Sequence, residues 1–303
     1  MTNQHTIDDP AIAAIWRDNH RHLIDVAYRM LGSVSDAEDI VQEAFTRLLR
    51  SNLDDIDDVR GWLVVVVSRL CLDQLRSARV RREAYVGPWL PEPVVSGGDG
   101  LAPDERVTLD DSVRIALLLV LERLTPGERV SFILHDVFQY SFDDIARIMK
   151  KTPAACRQLA SRARRHVQDE DVSLRGAIDP AEARRVADRF IDAASTGNLR
   201  ALLEVLDPEA AGWTDSGGFV PAPRERIVGR QRVAEGLLWF LDTFGVTLES
   251  MPVNAGPGAL ALQDGEIIAV LTFEVRDRLI TAIHSVANPE KLTHVKAAVT
   301  RRA

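Results

Sequence analysis

The stretch that most restricts this chain is SFDDIARIMKKTPAACRQLASRARRHV, from Ser141 to Val167. Phe142, Ile145, Ala146 and Met149 recur at i, i+3, i+4 and i+7, which is one face of a short helix. Lys150, Lys151 and Thr152 interrupt that pattern. Thr152 suits an N-cap, and Pro153 stands at the first helical position, where its missing N–H leaves no bond unmade. On the second helix Cys156, Leu159, Ala160, Ala163 and Val167 form an apolar stripe. Ala154, Gln158, Ser161 and Arg165 point the other way, flanked by Arg157, Arg162 and Arg164. Two amphipathic helices about a capped break, the second with a basic outer face, predict a helix-turn-helix whose second helix enters the major groove of DNA. A basic solvated helix in a bundle is the alternative; the capped break and the small-residue stripe together favour DNA binding.

What kind of DNA-binding chain this is depends on the rest of it. A length of 303 residues suggests two or three domains, each able to bury its own core. The net charge of −8 argues against a general nucleic-acid coat protein and leaves room for a local basic surface. The two cysteines, Cys71 and Cys156, sit inside apolar helical patterns, as buried thiols of a reducing compartment do, and not as a disulfide or metal site. The opening MTNQHTIDDP is polar and lacks a signal-peptide core, and Val64–Val67 is far too short to span a bilayer. A cytoplasmic protein with no membrane partner is expected, and nothing in the sequence asks for a cofactor.

Residues 10–83 read as an all-helical domain. Ile12, Ile15 and Trp16 begin an amphipathic pattern that Leu23, Ala27 and Met30 continue, and Gly32-Ser33 punctuates it. Ser35 with Glu38 has the capping-box form and predicts a helix through DAEDIVQEAFTRLLR, its apolar face made by Ala37, Ile40, Val41, Ala44, Phe45 and Leu48. Asp39, Glu43 and Thr46 share a polar side that periodicity alone reads as solvated. After the acidic loop Ser51–Asp58, Trp62 to Val67 is apolar all round, which predicts a buried half-helix. Arg69, Asp73 and Arg76 follow on one face, with Arg79, Arg81 and Arg82 beyond. A buried root with a basic tip suits phosphate contact, and a helix end that is simply basic fits these residues equally well. Residues 84–103, YVGPWLPEPVVSGGDGLAP in the main, are too rich in proline and glycine for regular structure and form a linker. Trp89 and Leu90 are unlike a solvated linker and are expected to dock. Residues 104–168 make a second helical unit that ends in the helix-turn-helix. Beyond it, residues 178–298 alternate helical patterns (Pro180–Ala194, Leu199–Leu206, Gly229–Phe244) with strand-like runs (Val246–Val253, Ala259–Leu262, Ile267–Val275, Leu279–Val286). Helices first and an antiparallel sheet afterwards predict an α+β domain.

The two helical units, in this order and across such a linker, resemble the σ2 and σ4 domains of bacterial extracytoplasmic-function sigma factors. AYRMLGSVSDAEDIVQEAFTRLL, VRGWLVVVVSRLCLDQLR and LTPGERVSFILHDVFQYSFDDIARIMKKTPAACRQLASRARR carry the resemblance over residues 10–168. It implies that Asp36, Asp39 and Glu43 contact the clamp coiled coil of core RNA polymerase and that σ4 meets its flap. It further implies that the Ser51–Asp58 loop, with Asn52, and the Trp62–Arg82 helix, with Arg69, Asp73, Arg76 and Arg79, open and read the −10 promoter element. The −35 element then falls to the second helix of the helix-turn-helix, with Gln158, Ser161 and Arg165 on bases and Arg157, Arg162 and Arg164 on phosphates.

The third domain resembles the SnoaL-like members of the NTF2-like superfamily, a cone of bent sheet around helices. Sigma factors with this extension share WLPEP, present at Trp89–Pro93, and NPEKL, present at Asn288–Leu292. Their Asp-Gly-Gly-Gly-Lys run is here Asp215-Ser216-Gly217-Gly218-Phe219, a departure at the lysine position on which that residue's contact depends. The resemblance implies regulation in cis, with Trp89, Leu90 and Pro91 docking near Asp215, Gly217, Gly218, Asn288, Pro289 and Lys291. The overall fold class is thus two all-α domains followed by an α+β cone. SnoaL-like folds include enzymes in which a carboxylate or histidine in an apolar cone is the general base, and Asp215, Asp242, His284 and Trp213 are the candidates. No tyrosine follows Tyr140 to serve as oxyanion donor, so a non-catalytic cone is favoured, with a small-molecule ligand site as a further use of the cavity. The expected function is promoter-specific transcription initiation with core polymerase and promoter DNA as partners and no chemistry of its own. The rivals are a one-component helix-turn-helix regulator with a ligand cone, and a DNA-binding protein fused to an enzyme.

Overall fold

A computed structural model describes residues 10–82, 85–95, 115–171 and 179–300. The chain divides into two compact units, residues 1–83 with 120–169, and residues 84–119 with 170–303. No helix among the described residues is long and apolar enough to cross a membrane.

The first unit is helical. Helix α1 (Pro10–Leu31) packs on α2 (Val34–Leu49) and on α3 (Val59–Arg82). Leu23, Ala27 and Met30 are buried on α1, whereas Trp16 remains 37% exposed and meets Phe45 edge-on at 4.5 Å. All six residues expected on the apolar face of α2 are buried. The start of α2 differs from expectation. The cap is Ser33, whose hydroxyl accepts the Asp36 amide at 3.0 Å, and Ser35 lies inside the helix. Gly32, at φ 69°, turns the chain one residue earlier and leaves Ser33 extended, which is the conformation an N-cap needs. On α3, Leu63, Val64 and Val67 are buried but Trp62, Val65 and Val66 are only half-buried, so the expected all-round burial of this half-helix does not hold.

Helix α4 (Ile115–Glu122) leads to α5 (Pro126–Phe132), which opens with a complete capping box between Thr125 and Glu128. A wider helical turn, Ile133–Val137, continues α5 and delivers the chain to α6 (Phe142–Met149) and α7 (Pro153–Asp171). Ser141 caps α6, Lys150 ends it in the left-handed conformation, and the Thr152 hydroxyl accepts the Ala155 amide at 3.2 Å as α7 begins.

The second unit contains α8 (Pro180–Ser195), α9 (Leu199–Val205), β1 (Leu206–Asp215), β2 (Ile227–Val228), α10 (Arg230–Phe244), β3 (Thr247–Ser250), β4 (Gly258–Gln263), β5 (Glu266–Arg276), β6 (Leu279–Val286) and α11 (Thr293–Thr300). The six strands lie in the order β2-β1-β6-β5-β4-β3. The expectation of an antiparallel sheet that follows all the helices is corrected in two ways. β1 and β2 precede α10, and β1 runs parallel to β6. Leu206, read as a helix end, is the first residue of β1. Asp207, Pro208, Gly212 and Asp215 are poor strand formers, and an irregularity in register between Leu206 and Ala211 absorbs the misfit.

The sheet buries both faces. One meets α8, α9 and α10 through Ala259, Ala261, Ala269, Leu271, Phe273 and Ile283. The other carries Leu260, Val270 and Val286 and is covered by Leu90 of the linker and by Leu292 and Val295 near the C-terminal end. The segment expected to be a mere linker therefore supplies part of a core.

Candidate nucleic-acid interface and a buried linker clasp

Helix α7 presents the residues expected on its outer face. Ala154, Arg157, Gln158, Ser161, Arg162 and Arg165 are exposed, while Cys156, Ala160 and Ala163 are buried against the unit. Gly127 stands against Leu159 and Met149, so a methyl there would fall 3.4–3.5 Å from both. This keeps α5 close under the helix-turn-helix and leaves the polar side of α7 facing outward. Arg157 lies over the Phe142 ring at 5.1 Å, which fixes its stem without consuming its donors. Arg165 makes a long contact from Nε to the Ser161 carbonyl, 3.5 Å. Arg164 behaves differently. It is half-buried, with Nε 2.5 Å from the Asp136 carboxylate, and so braces α7 against the preceding turn instead of standing free beside Arg162.

On α2, Asp39 and Glu43 are exposed, Glu43 accepting from Arg47 Nε at 2.8 Å, and Asp36 is half-buried in the first turn. Asn52 donates to Asp55 at 3.1 Å, which shapes the acidic loop. Asp73 and Arg76 form an exposed pair at 3.4 Å. Arg69 reaches the backbone carbonyls of Arg147 and Ile148. The side chains of Arg79, Arg81 and Arg82 lie outside the described residues.

The expected docking residues of the second unit come together around one carboxylate. Asp215 is fully buried, and both of its oxygens are taken. Oδ1 accepts the Tyr85 hydroxyl at 2.6 Å and the Gly217 amide at 3.2 Å. Oδ2 accepts the Leu90 amide at 2.8 Å and Lys291 Nζ at 2.7 Å. Lys291 Nζ also donates to the Leu90 carbonyl at 2.6 Å and lies 4.1 Å from the centroid of the Trp89 ring. Asn288 donates to the Tyr85 oxygen at 2.9 Å, and the Asp215 carbonyl receives the amides of Ala287 and Asn288. Burial and the bond to Asp215 push the Tyr85 phenol well above its ordinary value, so it stays protonated, donating to Asp215 while accepting from Asn288. Gly217, at φ 58°, is held so close that a Cβ would stand 2.5 Å from Asn288 Nδ2. Gly218 lies against Val86, Pro91 is buried, and Pro289 is exposed at the start of the short turn that carries Lys291. Phe219, which replaces the lysine of the resembling run, is 57% exposed.

Tyr85 and Asn254 escaped the sequence reading. Asn254 accepts the Val94 amide on its side chain at 3.0 Å and returns its own amide to the Val94 carbonyl at 2.8 Å. No tyrosine follows Tyr140, and the one that meets Asp215, Tyr85, comes from the linker.

As a catalytic set these residues do not fit. Asp215 is neutralised by Lys291 and saturated by donors, so it has no free lone pair aimed at a substrate. His284 stacks on Trp213 with ring centroids 4.8 Å apart, on the sheet face turned away from α8–α10 and not inside the cone as expected. Burial pulls its imidazole down to about 4. Asp242 is exposed on α10, beside a groove of about 500 Å³ lined by Leu238, Trp239 and Leu248. Among the described residues no group of three or more His, Cys, Asp or Glu is arranged to hold a metal ion.

Comparison with known proteins adds an independent line. Residues 15–81 match the model of Sigma-70 region 2, and residues 114–167 match that of Sigma-70, region 4. The Probable ECF RNA polymerase sigma factor SigI of Mycobacterium tuberculosis is 42% identical over 295 residues, covering 95% of this chain and 97% of that protein. The ECF RNA polymerase sigma factor SigJ of the same organism is 40% identical over 292 residues, covering 90% of each. The crystal structure of SigJ superposes with a TM-score of 0.75 at 36% identity, covering 93% of this chain and 98% of that one. Similarity of this extent runs through both helical regions, the linker clasp and the α+β domain, and the chain belongs to the extracytoplasmic-function RNA polymerase sigma factors.

Proposed function

We propose that this protein is an alternative sigma factor that joins core RNA polymerase in the cytoplasm, directs it to a set of promoters, and is regulated in cis by its C-terminal SnoaL-like domain. The observation that carries the reading is the pairing of two surfaces in one chain. Helix α7 exposes Gln158, Ser161 and Arg165 in line, with Arg157 and Arg162 beside them, and α2 exposes Asp39 and Glu43 on its polar side. A simple DNA-binding regulator has no use for the second surface. Gln158, Ser161 and Arg165 read base edges of the −35 element, and Arg157 and Arg162 hold phosphates. Arg164 acts through Asp136 by steadying the helix. Asp36, Asp39 and Glu43 meet the clamp coiled coil, the helix-turn-helix unit meets the flap, and Asn52, Arg69, Asp73, Arg76 and Arg79 serve the −10 element.

The division into residues 10–83, 84–103, 104–168 and 178–298 is kept as the functional one, with the second segment as a clasp whose Trp89, Leu90 and Pro91 lock onto Asp215, Asn288 and Lys291. The saturated state of Asp215 supports a structural and regulatory role for the extension over a catalytic one. The test is transcription in vitro with purified core polymerase and a panel of promoters. The full chain is expected to co-purify with core and to yield transcripts that α7 variants redirect. Failure to associate with core polymerase would refute the reading outright.

A further inference from the structure

Strand β1 ends in a tight turn, Ser216 to Phe219, closed by the Phe219 amide on the Ser216 carbonyl at 3.0 Å. Its central residues are Gly217 at φ 58° and Gly218 at φ 82°, a pair of positive angles that glycine adopts without strain. The Phe219 ring lies by Gly217, where an added Cβ would stand 3.2 Å from Cδ2, and yet is 57% exposed. Six large apolar side chains are exposed among the described residues, and three of them, Val86, Phe219 and Val220, line one groove of about 370 Å³. Thr214, Ser216, Pro221, Pro223 and Arg224 form more of its wall. Ser216 Oγ accepts the Gly218 amide at 3.3 Å and keeps its own proton to donate.

The chain that leaves this groove is strongly basic. Arg224, Arg226, Arg230 and Arg232 are all exposed, and Glu225 is the one acid in these nine residues. None of the four makes an ion pair among the described residues, although Arg230 Nη1 donates to the Leu203 carbonyl at 3.3 Å. Arg185, Arg200 and Arg278 of the same unit are each paired with a glutamate. The first turn of α10 holds no acid, so Arg230 and Arg232 add to the charge of that helix end where acids would offset it. In a chain of net charge −8, four unpaired arginines so close in sequence form a local positive surface suited to a polyanion.

The two features select among polyanions. Duplex DNA answers the arginines but hides its base faces in the stack, so Phe219 and Val220 would gain nothing. A single strand answers both, with phosphates for the guanidiniums and an unstacked base for the ring. A groove of about 370 Å³ has the size of a small-ligand site, roughly 300–1,000 Å³, and admits one base. Position 219 is a lysine in the run this segment resembles; phenylalanine exchanges that point charge for a π face.

We propose that the groove between residues 86–87 and 214–224 binds single-stranded DNA, one unstacked base lying on Phe219 and the four arginines holding the flanking phosphates. That the strand is DNA and not RNA rests on the proposed function, under which polymerase opens promoter DNA; the groove's fit to a single strand does not.

The experiment uses the full chain without polymerase, so its outcome is separate from that of the sigma-factor reading. A thymidine oligomer of about ten nucleotides carrying one 5-iododeoxyuridine is irradiated with the protein, and an adduct on Phe219 is expected by mass spectrometry. No adduct, or adducts confined to residues 10–168, overturns the site. In fluorescence anisotropy with the same oligomer, Phe219→Ala is expected to weaken binding about fivefold or more, the effect of losing one stacked base. Phe219→Tyr should keep the affinity, and Trp239→Ala, which removes an exposed aromatic outside the groove, should leave it unchanged. Glutamine at all four arginines should lower the slope of log affinity against log salt by up to about 3, at about 0.7 per phosphate contact on a single strand. Equal losses in Phe219→Ala and Trp239→Ala, or a duplex of the same length competing as well as the single strand, overturns the proposal. A uridine oligoribonucleotide that competes better than the thymidine oligomer overturns the assignment to DNA.

Discussion

Asp215 and Lys291 are a buried ion pair that four additional contacts make tolerable. Truncating the acid strands an ammonium that is only 9% exposed. Asp215→Ala is expected to cost the second unit about 3–5 kcal/mol, the usual penalty for leaving a buried charge unpaired. Asp215→Leu with Lys291→Met should cost less than Asp215→Ala alone, because no charge is then stranded, although the amides of Leu90 and Gly217 still lose their acceptor. Urea denaturation followed by tryptophan fluorescence measures both, and a double variant less stable than the single one would contradict the account. His284 supplies a pH signature. Its imidazole titrates near 6.5 in the unfolded chain and at about 4 when folded, pulled down by burial, with Glu274 Oε1 3.8 Å from Nδ1. The unfolded state therefore takes up the proton first. Stability contributed by the neutral ring is intact above pH 6.5 and is lost as pH falls towards 4, by about 3 kcal/mol in all. His284→Gln should flatten stability across that window, as read by denaturation midpoints at pH 7 and pH 4.5. At this scale the sequence was least informative. The Tyr85–Asp215 and Val94–Asn254 bonds span 130 and 160 residues, and no local pattern announces a partner so distant.

At the scale of elements, periodicity served where one face is buried and failed where context overrides preference. The apolar face of α2 emerges residue for residue, and those of α6 and α7 in outline, with Phe142, Leu159 and Val167 half-buried and Ile148 added to the buried set, because each is a stripe on a helix with one wet side. Strand β1 was missed because its Pro208 and Gly212 argue against a strand; the parallel pairing with β6 and packing against Val233 of α10 impose one. The same distinction separates neighbouring arginines on α7. Charge alone groups Arg164 with Arg165, but Arg164 is paired with Asp136 while Arg165 stands in the row with Gln158 and Ser161. Arg165→Ala is expected to relax −35 preference with a loss of about 1–3 kcal/mol on the preferred sequence. Arg164→Ala should weaken all −35 sequences alike and lower the thermal midpoint of the first unit. Competition assays on a −35 library tell the two apart, and equal losses on every sequence in Arg165→Ala would reassign that residue to phosphate contact.

For the molecule as a whole, the telling feature is that a proline-rich segment between the two sigma regions is built into the core of the α+β domain. Leu90 is 2% exposed within the same cluster as Val270 and Val286, and Val94 is bonded through both backbone groups to Asn254. A linker held this way cannot also be slack, so any change that loosens the clasp changes the freedom of the chain on either side of it. Trp89 is the test point. Its ring lies against the Lys291 ammonium, where it excludes water from the ion pair and adds a cation–π attraction. Trp89→Ala removes that cover while leaving every residue of α2, α3 and α7 in place. Hydrogen exchange should then accelerate at the Leu90 and Val94 amides by an order of magnitude or more, while amides of β5 and β6 keep their protection. Transcription with core polymerase should change several-fold with promoter preference intact, because α7 is untouched. Unaltered exchange together with unaltered transcription would mean that the clasp is decorative. Faster exchange with unaltered transcription would mean that the domain holds the linker but does not govern the sigma factor through it.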